Sequence, residues 1–574
     1  MQEENYMFPT SVKEVRKLGW DYIDVIFFTG DAFVDHPSFG TACIARWLQH
    51  FGYRVAIIPQ PSWTDDLRDF RKLGAPRLYF AVNSGAMDSM VNRYTAGKRL
   101  RHDDAYTPEG RAGARPDYAV SVYCGILKKL YPDTPVIIGG VEASLRRLTH
   151  YDYWQDCLKP SILVDSGADW LCYGMGETTM LELTRAIEKG WSRHQMEKIP
   201  QIAFFRDGEC KAGGDALILS SFETCKADKA AFAGNFHEIE THANMLHPQT
   251  IVEPVGNGYV QVNPPCPPSS TQQMDAFWDL PFTKLPHPRY NGKRIPAYEM
   301  IKDSIITHRG CFGGCNFCTI AAHQGKFIQS RSTESILREV KALAAMPQFH
   351  GNISDLGAPT ANMYGMGGKD KGLCEVCRRR SCLFPTACRN LDRSHGKVLE
   401  LYRKVDAVKG IRHSYIGSGV RYDLFLTPDG FVDDTGKEYL KELVLRHTSG
   451  RLKVAPEHTE EHVLGYMGKP SFKYFERLRK EFDRINAEAG THTELVPYFI
   501  SSHPGCRLAD MQKLASNPAL KGIWMDQVQD FTPTPMTTSS VMFWTGIDPR
   551  TMKPVFTERA PERKKAQKAL FFTH

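Results

Sequence analysis

Ser304-Ile305-Ile306-Thr307-His308-Arg309-Gly310-Cys311-Phe312-Gly313-Gly314-Cys315-Asn316-Phe317-Cys318 decides how the rest of the chain is read. Ser304 to His308 has the composition of a short buried strand. Three cysteines with C-x3-C-x2-C spacing follow it directly. Three thiolates this close can bind three irons of a cubane 4Fe–4S cluster, and without a fourth cysteine one iron stays open to another ligand. The glycines between them let the backbone fold around such a cluster. Zinc, the rival metal, usually takes four protein ligands in a closed site.

Five further strand patterns follow, separated by helical ones: Asn352 to Leu356, His413 to Gly417, Leu452 to Ala455, Glu494 to Ile500 and Gly522 to Val528. Six strands alternating with helices predict a partial (β/α)6 TIM-type barrel over 296–546, with its chemistry on the loops after the strands. A similar series lies upstream: Tyr22 to Phe28, Arg54 to Pro59, Leu78 to Val82, Pro135 to Ile138 and Ala168 to Gly174. Short buried strands that end in glycine and alternate with helices predict a parallel doubly wound α/β domain over 1–200. Between them, 201–295 loses periodicity and gains proline, as in Asn263-Pro264-Pro265-Cys266-Pro267-Pro268, and reads as a connecting region that wraps the surface. Residues 547–574 read as a basic tail, with a solvated helix from Arg559 to Leu570.

The cysteine count makes the motif stand out. The chain has 574 residues, 42% hydrophobic and 24% charged, with a formal net charge of +7. These values suit a globular protein of about three or four domain-sized units and exclude a disordered or fibrous one. The mild charge permits nucleic-acid binding without arguing for it. Seven of the 15 cysteines fall in two short clusters, which points to metal rather than disulfides. The polar start lacks a signal-peptide pattern, and no apolar run approaches ~18 residues. The expectation is a cytoplasmic protein with reduced thiols and no membrane span.

The second cluster, Cys374, Cys377, Cys382 and Cys388, falls in an insertion over 366–392 after the second barrel strand. Four thiolates can close a tetrahedral zinc site or saturate an auxiliary 4Fe–4S cluster. The spacing leaves no open coordination position, so zinc or another structural metal is the favoured expectation.

The C-x3-C-x2-C motif, with Phe317 before the last cysteine, resembles the signature of the radical S-adenosylmethionine (SAM) superfamily. Val34 to Gly40, Thr307 to Cys315, Asp355 to Gly365 and Val454 to Thr459 narrow the resemblance to the YgiQ family, over roughly residues 20 to 550. The resemblance implies that Cys311, Cys315 and Cys318 bind the cluster and that SAM chelates its open iron. Reductive cleavage then gives a 5′-deoxyadenosyl radical that takes hydrogen from a substrate the family does not identify. It also implies an electron donor such as a flavodoxin or ferredoxin.

Many superfamily members carry Gly-Gly-Glu after the second strand; here Asp355-Leu356-Gly357-Ala358-Pro359-Thr360 stands there without that acid, which leaves Gly357 and Pro359 as backbone candidates for SAM. Ser418 and Arg421, after the third strand, suit the SAM ribose and carboxylate. Glu457 and His458, after the fourth, are candidates to face substrate, and Cys506 in His503-Pro504-Gly505-Cys506 is a further one. No catalytic residue is assigned.

The N-terminal strand pattern resembles the flavodoxin-like, cobalamin-binding domain that precedes many radical SAM cores. That domain places a histidine on cobalt through Asp-x-His-x-x-Gly. Here Asp35 and His36 are adjacent and Gly40 follows four residues after the histidine. The broken pattern is read as a retained fold without cobalamin. A cobalamin-dependent enzyme is one alternative. Another is an RNA-modifying, methylthiotransferase-like enzyme with Cys43, Cys124 and Cys157 as extra ligands. A third is a non-catalytic iron–sulfur or zinc protein that binds RNA or a protein partner.

Overall fold

The computed structural model describes residues 7–210, 214–523, 525 and 527–571. The chain forms two compact units. The first comprises Met1–Asn235, His247–Pro267 and Ala276–Lys302, and the second Phe236–Leu246, Pro268–Asp275 and Asp303–His574.

The first unit is built on one nine-stranded sheet. Its strands are β1 (Val25–Thr29), β2 (Val55–Pro59), β3 (Tyr79–Asn83), β4 (Val136–Ile138), β5 (Trp170–Cys172), β6 (Ile202–Asp207), β7 (Leu217–Ile218), β8 (Ile251–Val255) and β9 (Gly258–Val262). They lie in the order β2-β1-β3-β4-β5-β6-β9-β8-β7. The first five are parallel, in the register Val25↔Val55, Val25↔Tyr79, Phe80↔Val136 and Ile137↔Trp170. Every residue of β1 and β2 is buried, as continuous apolar runs require when helices cover both faces of a sheet. Helix α1 (Gly40–His50) buries Ala42, Cys43, Ala45 and Leu48 and is followed by Gly52 at φ +88°.

The connecting region expected over 201–295 is not one. It supplies β6 to β9, which extend the parallel sheet mainly with antiparallel strands. Gly256, at φ +59°, opens a two-residue turn between β8 and β9, and that short hairpin lies between stretches whose proline content masks its alternation.

In the second unit β10 (Ser304–Ile306) pairs parallel with β12 (Asp355–Gly357), and β11 (Asn352–Ile353) with β13 (His413–Ser414). β14 (Arg451–Glu457), β15 (Glu494–Ser501) and β16 (Val528–Asp530) form a second parallel run. Five of the six expected strands are present, and the sixth is displaced. The last begins at Val528, and Trp524 and Asp526 of the expected stretch lie outside the described residues. Helices Thr333–Ala344, Gly396–Asp406, Asp434–Arg446 and Lys473–Ala489 alternate with the strands. Each turns an apolar stripe to one core, for example Val398, Leu401, Tyr402 and Val405 at i, i+3, i+4 and i+7. The tail helix, Pro561–Ala569, is not fully solvated as expected: Gln567 is buried and its Oε1 accepts from the Ser502 N–H at 2.9 Å.

Candidate active site and its family

The loop after β10 is fixed by backbone geometry that only glycine satisfies. Gly310 has φ +91°, and a Cβ there would lie 2.3 Å from the Phe327 carbonyl oxygen. Gly314 has φ +62°, and a Cβ there would lie 2.6 Å from Cβ of Ser381. Asn316 anchors the loop by donating its amide N–H to Met467 O at 2.8 Å and its side-chain Nδ2 to Tyr466 O at 2.7 Å.

Cys311, Cys315 and Cys318 face one cavity of about 320 Å³, which also reaches Pro359, Arg421, Glu457 and Tyr498. Residues beyond three strands thus meet Glu457, at the end of β14, and Tyr498, within β15, in one place. Burial pushes the Cys318 thiol up to about 12, with Cys315 and Cys311 adding to the shift. Burial also raises Cys311, against the pull of Arg421. Packing three thiols together is unfavourable for the thiolates until a cation shares their charge, which a metal centre does.

Arg421 is the cation the fold supplies. Its Nη1 donates to Cys315 Sγ at 3.3 Å and its Nε to Asp423 Oδ1 at 3.0 Å. Burial opposes its charge, but Asp423 and the two sulfurs outweigh burial and hold its pKa above the ordinary arginine range. Asn362, fully buried, exchanges two hydrogen bonds of 2.9 Å with the Arg421 backbone.

The sequence candidates separate here. Pro359, Arg421 and Glu457 line the cavity; Gly357, Ser418 and His458 are not among its lining residues. The Ser418 hydroxyl donates to Asp355, whose other oxygen accepts the Gly417 and Ser418 amides at 2.9 and 3.1 Å. An acid is therefore present on the second strand, two residues before Gly357, and it binds the third loop. Glu457 sits at φ +68°, beside a register shift between β14 and β15, with Lys469 Nζ 3.6 Å away. Burial raises its pKa, against Lys469 and Arg421. His458 is fully buried, its Nδ1 accepting from the Glu460 N–H at 3.0 Å and its Nε2 lying 3.5 Å from Cys506 Sγ. Thr360, Asp423 and Lys469 also line the cavity and were not among the sequence candidates. Thr360 and Asp423 stand beside quoted motifs, whereas nothing local marks Lys469.

The insertion closes at its neck, where Gly367–Gly368 pairs antiparallel with Leu391–Asp392. Cys374, Cys377, Cys382 and Cys388 line a second cavity of about 450 Å³ together with Lys326 and Arg379. Among the described residues no two cysteines are joined by a disulfide.

In the first unit Asp35 and His36 are fully buried. Asp35 Oδ1 accepts from Arg46 Nε at 3.1 Å, and His36 Nδ1 accepts from the Ser38 N–H at 3.1 Å. Cys43 and Cys124 lie on different helices, both buried.

The family model described as Radical SAM N-terminal matches residues 7–304. The chain is 54% identical to a UPF0313 protein of Bacteroides thetaiotaomicron, covering 98% of this chain and 93% of that one. The chain belongs to the YgiQ (UPF0313) family of radical SAM proteins. The Escherichia coli YgiQ protein is 41% identical, with 99% of this chain and 84% of that one covered. A domain of unknown function, DUF3362, matches residues 526–574. Among solved structures, the Kitasatospora setae radical SAM methyltransferase TsrM, with cobalamin and a 4Fe–4S cluster bound, aligns at TM-score 0.49 and 14% identity, covering 91% and 78% of the two chains. The chain is a radical SAM enzyme, and its family implies a 4Fe–4S cluster, SAM, a substrate and a reductant. Among the described residues no helix is long and apolar enough to cross a membrane.

Proposed function

We propose that Cys311, Cys315 and Cys318 hold the 4Fe–4S cluster at the mouth of the parallel strands, and that SAM binds its open iron in the 320 Å³ cavity. The carrying observation is the convergence of the three thiols with Arg421, Glu457 and the Lys469 ammonium on that one cavity. When bound, cluster and SAM supply a 5′-deoxyadenosyl radical. Arg421 balances sulfur charge and is held by Asp423 and Asn362. Pro359 gives the second loop its turn. Glu457, at a backbone angle that non-glycine residues avoid, points a carboxyl group held towards its neutral form at the substrate side. Ser418 positions the third loop through Asp355 rather than touching SAM. The electron comes from a flavodoxin- or ferredoxin-class donor in the cytoplasm. The quartet Cys374, Cys377, Cys382 and Cys388 forms a second metal centre.

This reading assigns no residue to cobalamin, and a cobalamin-dependent enzyme is the alternative to it. The loop departs from the Asp-x-His-x-x-Gly pattern, and Asp35 next to His36 is held by Arg46. Reconstitution with hydroxocobalamin should leave the protein without a cobalt spectrum, and a stoichiometric one would overturn this point. An RNA-modifying role through Cys43, Cys124 and Cys157 is not adopted, because Cys43 and Cys124 are core residues of separate helices.

The test is anaerobic reconstitution followed by reduction with SAM. Methionine and 5′-deoxyadenosine should form in equal amounts, and Cys315→Ala should form neither. Cleavage retained by that variant would sink the assignment.

A further inference from the structure

We propose that Cys374, Cys377, Cys382 and Cys388 hold a second iron–sulfur cluster of the four-iron class, not zinc, built against the backbone of the SAM-cluster loop. The inference rests on the reading of that loop given above.

The spacing of the sulfurs speaks first. Zinc binds thiolates at about 2.3 Å, so tetrahedral geometry holds four sulfurs roughly 3.8 Å apart. Among the described residues, the trio of metal-ligating atoms that closes within 4.8 Å is Glu460, His462 and Asp510, not any three of these sulfurs. The thiols of Cys311, Cys315 and Cys318 likewise form no trio within 4.8 Å among the described residues. A cubane needs a wider spacing, because each cysteine binds a different iron.

The surroundings of the sulfurs speak second. The four cysteines wall a cavity of about 450 Å³, larger than the 320 Å³ of the SAM-cluster site. The wall is set for sulfur. A Cβ on Gly368 would lie 2.4 Å from Cys374 Sγ. Asn390 Nδ2 donates to Cys374 Sγ and the Arg379 N–H to Cys377 Sγ, each at 3.4 Å. The buried Lys326 ammonium lies 3.8 Å from Cys377 Sγ. Hydrogen bonds and cations at the sulfurs are the protein's means of tuning such a cluster.

The insertion is also joined directly to the first loop. The Cys382 N–H donates to Phe312 O at 3.0 Å, and Ser381 Oγ donates to Gly313 O at 2.7 Å. Arg380 Nη2 donates to Asn316 Oδ1 at 2.9 Å. Phe312, Leu383 and Leu391 share one apolar cluster against which Cys311, Cys382 and Cys388 all pack. With all four irons ligated by cysteine, this centre has no position for SAM or substrate.

Metal and sulfide analysis of the wild-type protein, purified and reconstituted anaerobically with both iron and zinc present, is the test. About eight irons and no zinc per chain are expected. About four irons with about one zinc would overturn the proposal, as would about four irons and no second metal. The triple variant Cys311→Ala, Cys315→Ala, Cys318→Ala should keep about four irons and, after reduction, the paramagnetic resonance signal of a 4Fe–4S cluster. If that variant does not fold, the wild-type count decides alone. SAM cleavage by the wild type reports separately on the first site. Cleavage with a zinc-loaded quartet would therefore retain the radical SAM reading and reject only the second cluster.

Discussion

The two cysteine sites differ in what surrounds their sulfurs. The cavity of Cys311, Cys315 and Cys318 runs on to Arg421, Glu457, Lys469 and Tyr498, residues delivered by later strands and loops. The cavity of the quartet is walled largely by its own insertion, Gly367 to Leu391, with Phe312 and Lys326 to Ile328 from the first loop and its return. One site is open to chemistry from the whole barrel, and the other is closed by a segment pinched at its neck. The reactive centre is therefore spread over the fold, while the second is encoded locally.

If the closed segment supports the open loop, pushing them apart should do the most damage. Gly314 sits at φ +62° with Ser381 and the Arg380 carbonyl pressed against its Cα face. Gly314→Val adds left-handed strain and overpacking, for a loss of about 2–4 kcal/mol. Urea unfolding would measure it. Gly419→Ala is the control, because a Cβ at 419 meets nothing within 4 Å. Equal stability of the two variants would show that the insertion does not press on the loop.

The same contrast governs charge. Removing Arg421 takes the buried guanidinium from Cys315 and leaves Asp423 without its partner. Arg421→Met should lower SAM cleavage by about 10–100-fold, the scale seen for groups that support metal ligands. Iron bound at the quartet should not change, because Arg421 does not line that cavity. Arg421→Lys should recover part of the loss. Equal loss of iron from both sites would break the distinction between them.

What the sequence disclosed follows the same division. The three-cysteine motif, the quartet and five of the six barrel strands were legible because each signal is local: a spacing, or an apolar run ending in a turn. That Arg421 and Glu457 line the first cavity was legible from their place at or beyond the end of a strand. Lys469 was not, since its link to Glu457 is made only when the chain after β14 folds back. The bond from the Ser418 hydroxyl to Asp355, 63 residues earlier, was not legible either. In the first unit the hairpin β8–β9 was read as connector because its partner, β6, is remote in sequence and proline flanks it.

The smallest effect expected is on acid stability. His308, His458 and His503 are buried in the second unit, and burial lowers the pKa of each to about 3; no histidine is among the residues lining the quartet's cavity. For His458, Asp510 opposes that shift and His462 adds to it. An unfolded histidine takes its proton near pH 6.5. Between about pH 6.5 and 3 the unfolded chain therefore binds a proton that the folded chain refuses. The stability carried by a neutral His458 is complete above that window and declines as pH falls through it, by about 1.4 kcal/mol per pH unit for one such group. His458→Asn should shallow the pH dependence of the second unit's unfolding by about that slope and leave metal binding at the quartet unmoved. An unaltered slope would mean that His458 is protonated in the folded chain, and that its environment is less apolar than its contacts with Cys506 and the Glu460 amide require.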